Sequence, residues 1–369
     1  MWFAGGAAIV RGAAWVDRAG PLDWRLRRSN QALVRAIGAR LLRSAVTVQA
    51  ARVAIPPPRL TVSFDSPSPL PLDASLQRTG PGKINVRLSG QEPGWAVEVA
   101  QRHVAAYSFW LLHCPPDIDI MTVTLSDGEQ PSRAMFGPSC TVDGPVPIPD
   151  SHFFRTRGFD EVRRISAQND VAWSDRSAAV RWRGASSASG RWSFGANAKS
   201  DPTVSQRQRL ILAAREINGL DAAFVYRGGV PWQTRVLALN GMLGAPIASS
   251  EWIGDKFAID IDGQTNTWGN LLVRLHQGCC VLKIESQFGY RQWYYHRLRP
   301  WEHFVPVSAD LSDLADRVEW VRTHDAAAAE IARNGRDLAR SMTFESVITE
   351  AAEIISSTVR GEPAWRSGQ

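Results

Sequence analysis

Apolar runs of strand length alternate with stretches of helical period along this chain, most clearly in its second half. Phe257 to Ile261 reads as a short buried strand, and Asp262-Gly263 opens a polar loop. Thr267 is a natural N-cap for a helix from Trp268 to His276, Gly278 ends it, and Cys279 to Ile284 is the next strand. Such a strand–helix–strand unit brings backbone N–H groups and a helix N-terminus to the carboxyl end of a strand. Open α/β sheets take phosphorylated ligands there, although the same pattern also serves as a plain crossover.

Upstream, Leu26, Leu33, Ile37, Leu41, Ala45 and Val48 keep helical spacing between Trp24 and Arg52. Ile55 to Pro58 breaks that helix into an extended segment, and Ser66 to Pro71 and Gln77 to Lys83 read as loops. Trp95 to Leu112 is a second helical candidate, Ile118 to Leu125 a β-rich run, and Val146 to Pro149 a short extended piece. Ala178 to Arg183 is a strand, followed by a Gly/Ser/Ala-rich loop from Gly184 to Ser205 and a helix from Gln206 to Asn218. Three helices close the chain, at about Leu311–His324, Ala326–Ser341 and Phe344–Ser356. Strands and helices alternating in two halves imply an α/β protein with two doubly wound, Rossmann-like sheets facing across a cleft.

Charge changes this picture little. Arginine supplies 38 of the 42 basic residues, a bias better explained by a GC-rich bacterial genome than by nucleic-acid binding, since no basic stripe interleaved with aromatics appears. Locally it matters more. Arg25, Arg27, Arg28, Arg35, Arg40, Arg43 and Arg52 sit in one helical segment without an acidic residue. That pattern fits the solvated face of a packed helix better than a helix resting on anionic lipid. The first twenty residues are apolar but interrupted by Arg11, too short to span a bilayer and without the basic start of a signal peptide. Four cysteines (Cys114, Cys140, Cys279, Cys280) match neither a zinc site nor a disulfide framework, so a cytoplasmic protein is expected. Trp293, Tyr294, Tyr295 and Trp301 cluster near Glu285, Arg291 and His296, either as a sugar platform or as core filling.

FAIDIDGQTNTWGNLLVRL, GCCVLK and YYHRLRPWEHFVPVSADLSDL closely resemble glycosyltransferase family 90, and the likeness runs from roughly Asp117 to Ile355. The resemblance implies the two-domain GT-B architecture, with the donor held by the C-terminal half and the base supplied by the N-terminal half. The pattern along the chain divides it into a basic helical segment (1–55), a first domain (56–165), a second domain (166–343) and a C-terminal helix and tail (344–369), which the resemblance makes the acceptor-side and nucleotide-sugar domains. An inverting, metal-independent transfer from a UDP-sugar, glucose or xylose, to a glycan or lipid-linked saccharide is the implied activity.

Residue by residue, Asp127 after PDIDIMTVTL resembles the family's strand-plus-aspartate base motif, with one residue extra, and the resemblance favours the catalytic base over a plain Asp-Gly turn. Arg183-Gly184 in VRWRGASS resembles the strand-Arg-Gly-Ser motif, and Arg207 aligns with a donor-contacting arginine. The loop Asp262, Gly263, Gln264, Thr265, Asn266, Thr267, Trp268, Gly269 is expected to line the nucleotide or diphosphate. Where eukaryotic relatives place an arginine at the helix start, this chain has Gly269 and Asn270. Two alternatives remain: a metal-dependent transferase using Asp260-Ile261-Asp262 or Asp117-Ile118-Asp119, and a non-catalytic nucleotide-sugar-binding subunit.

Overall fold

A computed structural model describes residues 24–65, 73–89, 93–225 and 231–362. Helix α1 (Trp24–Arg52) leads into β1 (Arg59–Phe64), then the hairpin β2 (Asp73–Gly80) and β3 (Lys83–Leu88). Helix α2 (Pro93–His113) follows, with β4 (Ile120–Thr124), β5 (Phe136–Gly137) and β6 (Val146–Pro147) completing a six-stranded sheet of order β1-β3-β2-β4-β5-β6. The loop expected over Gln77 to Lys83 is only the turn Pro81-Gly82, with Gly82 at φ +63. Gln77, Arg78 and Thr79 disguise the strand because only alternate positions of β2 face the core. Leu76 is paired with Val86 on one side and Met121 on the other, a buried rung across the sheet. The hairpin sets β2 antiparallel to both β3 and β4, so this sheet is mixed, whereas the sequence pattern predicts a doubly wound one.

Two short helices, α3 (Ser151–Arg155) and α4 (Asp160–Gln168), carry the chain to the second sheet. The expected boundary at 165/166 falls inside α4. This sheet contains β7 (Ser177–Gly184), β8 (Leu220–Phe224), β9 (Asp255–Asp260), β10 (Cys280–Ile284) and β11 (Val305–Val307), all parallel, in the order β11-β10-β9-β7-β8. Helices α5 (Gln206–Ala214), α6 (Pro231–Leu239) and α7 (Asn270–His276) connect its strands, and α8 (Leu314–Thr323), α9 (Asp325–Ser341) and α10 (Phe344–Arg360) finish the chain. Strands β8 and β11 and helix α6 were not legible in the sequence pattern.

Both faces of this sheet are covered, and adjacent residues divide between two cores. Cys279 and Val281 join a hydrophobic cluster that runs into the first sheet through Leu76, Trp110 and Phe344. Cys280 and Leu282 join the other, with Val318 and Ile331 of α8 and α9. The two sheets therefore share a continuous core rather than meeting at a wet interface. Helix α10 returns to the first half, where Phe344 stacks on Phe109 of α2 with ring centroids 5.5 Å apart. Trp293 and Tyr294 are fully buried in this core, so core filling is the use made of them.

Candidate functional site

In a parallel sheet of this order the strand sequence reverses between β7 and β9. A crevice opens at such a reversal, outside the carboxyl ends of the strands. Gly184 ends β7 and Asp260 ends β9, and the loops that follow them are riveted together by one side chain. Arg207, in the first turn of α5, donates from Nε to the Asp262 carbonyl at 2.8 Å and from Nη2 to the Ile261 carbonyl at 3.3 Å. Its Nη1 donates to the carbonyls of Ala185 at 3.0 Å and Ser187 at 2.9 Å. The guanidinium also lies over the Trp182 ring, 5.6 Å from its centroid. Glycines let the backbones close in: a Cβ on Gly263 would sit 2.9 Å from Arg207 Nη2, and one on Gly184 2.3 Å from Trp182 Cζ2. Ser189 adds a second tie, its N–H donating to the Gly263 carbonyl at 3.0 Å and its hydroxyl to the Gln264 carbonyl.

Beyond Gly263 the loop turns inward. The Gly263 N–H donates to the Thr265 carbonyl at 2.8 Å, and Thr265 and Asn266 are buried. Asp262 accepts from Asn266 Nδ2 at 3.3 Å through Oδ1, and the Ser286 hydroxyl also lies beside its buried carboxylate. Burial raises the Asp262 pKa, partly opposed by Lys283. Thr267 is not the N-cap: its hydroxyl donates to the Asp260 carboxylate at 2.7 Å, and Gly269 holds the cap position without a side-chain bond. The helix thus starts at Asn270 and is two turns long, shorter than the pattern predicts. Trp268 is bent into the left-handed region at φ +57, a conformation costing roughly 1–2 kcal/mol. Its half-buried ring points across the seam to His103 of α2, 6.3 Å between centroids.

Gly269 has no space for a side chain, since a Cβ would lie 2.5 Å from His152 Cδ2 and 2.6 Å from Phe159 Cζ. That crowding by α3 and the start of α4 leaves no room for an arginine at this position of the helix start. Gly269→Ala is expected to lose about 1–3 kcal/mol of stability through overpacking, read as a lowered Tm. An unchanged Tm would show that these rings give way freely.

From the other sheet, Asp127 lies in the loop just past β4. Thr124 and Ser126 shape that loop through their hydroxyls, and the Gly128 N–H donates to Ser126 Oγ at 3.2 Å. Gly128, at φ +100, passes so close to the Ser139 carbonyl that a Cβ would meet its oxygen at 1.9 Å. Ser139 then donates from Oγ to Asn266 Oδ1 at 2.5 Å, and Asn266 Nδ2 reaches the Tyr290 carbonyl at 3.2 Å. Next to Ser139, Cys140 and Arg291 exchange backbone hydrogen bonds at 3.0 and 2.8 Å. So the Asp127 loop and the Asp262–Gly269 loop are two steps of contact apart. Burial raises the Asp127 pKa, Glu129 pushes it the same way, and Arg102 opposes.

Other candidates are drawn elsewhere. Arg183 turns toward β8, pairing with Asp221 Oδ2 at 2.8 Å and donating to the Ala245 carbonyl at 3.0 Å, so its guanidinium is committed to strand packing rather than to the crevice. His296 and Arg297 pair with Glu350 of α10 at 3.5 and 3.3 Å. Asp117 binds Arg360 at 2.7 Å, a surface tie between the first half and the end of α10. Asp260 accepts from Thr267 and Asn270 and lies 3.8 Å from the Lys283 ammonium. Neither Asp-x-Asp pair therefore presents two uncommitted carboxylates, and no cluster of three or more metal-ligating side chains occurs among the described residues. Ser139 and His103 were not singled out from the sequence: neither sits in a motif, and each gains its place only through the fold.

A sequence model of glycosyl transferase family 90 matches residues 159–356. Uncharacterized protein 035R of Invertebrate iridescent virus 3 is 34% identical over 106 residues, covering 28% of this chain and 10% of that protein. Protein O-glucosyltransferase 2 of Danio rerio is 32% identical over 104 residues, 28% of this chain and 20% of that one. The matches thus span a fifth or less of these relatives' lengths. Among solved structures, Anabaena Alr3699/HepE in complex with UDP-glucose aligns with a TM-score of 0.33 at 13% identity, over 53% of this chain and 52% of that one. Asp127 lies outside the family match, whereas Arg183, Arg207 and the Asp262–Gly269 loop lie inside it.

Proposed function

The chain belongs to glycosyl transferase family 90, and we propose that it is an inverting glycosyltransferase that uses a UDP-sugar. The observation that carries this reading is the reversal of strand order between β7 and β9, where Arg207 ties the two following loops together and Asn266 and Ser139 connect them to the loop carrying Asp127. In the proposed reaction the donor's diphosphate lies along the Gly184 and Gly263 loops, near the positive charge of Arg207. An acceptor hydroxyl approaches from the Asp127 side. The Asp127 carboxylate takes the hydroxyl proton as the oxygen bonds to the anomeric carbon. The bond from that carbon to the diphosphate breaks, its electron pair leaves with UDP, and configuration inverts. The raised Asp127 pKa suits this role, because a stronger carboxylate base accepts the proton more readily.

Glucose is the first sugar to test, from the name of the protein O-glucosyltransferase relative, with xylose next. The acceptor is proposed to be a bacterial surface glycan or lipopolysaccharide-type saccharide, handled at the cytoplasmic face. Four buried, free cysteines fit a reducing compartment, and the arginine bias fits a GC-rich bacterium. Transfer is proposed to need no metal: EDTA should leave the rate of UDP release unchanged, and a chelation-sensitive rate restored by Mg²⁺ or Mn²⁺ would contradict this. The reading is tested by melting the protein with UDP-, GDP- and TDP-sugars and then assaying UDP release with saccharide acceptors. A native-state ligand at 100 times its Kd adds about 2.7 kcal/mol. Stabilisation by a UDP-sugar followed by turnover is expected. Stabilisation without turnover over a broad acceptor panel would leave a binding subunit, and no stabilisation would remove the donor site.

A further inference from the structure

Helix α1 carries two apolar stripes, and only one of them is used. Ala39, Leu42, Val46 and Ala50 are buried against the body of the protein. Leu33, Ile37 and Val48 belong to the other stripe and are 59%, 49% and 49% exposed. At 100° per residue Ile37 lies about 180° from Val46, on the outward side of the helix. The apolar spacing evident in the sequence therefore marks the face turned away from the core. Exposed Arg40 and Arg52 flank Ile37 at about 60° on either side, and exposed Arg43 lies further round. No Asp or Glu occurs between Trp24 and Arg52. Among the described residues no helix is long and apolar enough to cross a membrane.

We infer that the outward face of α1 docks on an anionic lipid surface. The apolar stripe enters the boundary between headgroups and acyl chains while the flanking arginines meet lipid phosphates, as in interfacial amphipathic helices. Charge selects this occupant over a second copy of the chain. Two such faces packed together would set arginine near arginine with no carboxylate on either helix to balance them. An anionic bilayer supplies the missing charge along the whole stripe. Docking there would hold the enzyme at a surface where lipid-borne acceptors concentrate, although the lipid contact does not depend on the sugar-transfer reading.

The test is sedimentation of the full chain with vesicles, in the absence of donor. Binding to equimolar phosphatidylcholine–phosphatidylglycerol vesicles is expected, weakening as salt rises, with little binding to phosphatidylcholine alone. Arg40→Gln/Arg52→Gln should weaken the partition by about tenfold or more, and Ile37→Glu/Val48→Glu at least as much. These side chains are exposed, so both variants should keep the parental Tm. Absence of binding to the anionic vesicles, or undiminished binding by both variants, would overturn the inference. A lipid-free dimer dispersed by Ile37→Glu/Val48→Glu would also overturn it, by showing that a second copy covers the face.

Discussion

Asp127→Asn is expected to lower turnover by about 100- to 10,000-fold while leaving donor binding and folding intact. The change keeps the shape of the side chain and removes its ability to take a proton. Stability should stay level or rise, and the sign follows from the titration. Burial and Glu129 raise the Asp127 pKa in the native protein above its unfolded value. The native state therefore holds this proton to higher pH than the unfolded chain, and stability falls as the pH rises from the unfolded pKa through the native one, the full cost being present above it. Asparagine carries no such cost at neutral pH. The same shift places the acid limb of the pH–rate profile above that of an ordinary carboxylate, with activity rising as Asp127 ionises. Near-native turnover in the variant would remove Asp127 from the mechanism. A large fall in Tm would give its carboxylate a structural duty instead.

Replacing Arg207 should do the opposite, costing fold and donor together. Four backbone carbonyls, two from each of the loops after β7 and β9, accept from its guanidinium. Arg207→Met leaves these buried acceptors without their donor, so a loss of about 2–4 kcal/mol is expected. Because the same bonds hold the crevice in shape, the Tm shift produced by a UDP-sugar should disappear in the variant. Arg207→Lys should recover little, since one ammonium cannot span carbonyls that a planar fork reaches at once. Parental Tm together with a parental donor shift in Arg207→Met would show that the crevice does not depend on the rivet.

Local periodicity reports an element well when one face or both faces of it are apolar. The β9–α7–β10 unit was legible for that reason: Phe257, Ala258 and Ile259 are buried, and so is every residue of β10. The strand Leu220–Phe224 was not, because it is an edge strand with exposed Asp221 and small alanines. In α1 both stripes have helical period, and only the packing against α2 decides which is inside. The site follows the same division. Its glycine-rich loops could be read because glycine allows close backbone approach. That Arg207 grips both loops could not, for its partners are carbonyls, which every residue has. Thr267 has the chemistry of an N-cap, but a buried Asp260 nearby is a stronger acceptor for its hydroxyl. The Ser139–Asn266 bond joins residues far apart in sequence, and no short motif marks Ser139.

Hydrogen–deuterium exchange of the full chain with and without UDP, in the presence of EDTA, tests the central claim most directly. The β7/β9 crevice predicts slowed exchange in two separate segments, 184–191 and 261–269, with smaller changes elsewhere. Unchanged exchange in both segments while UDP is bound would contradict the proposed donor site.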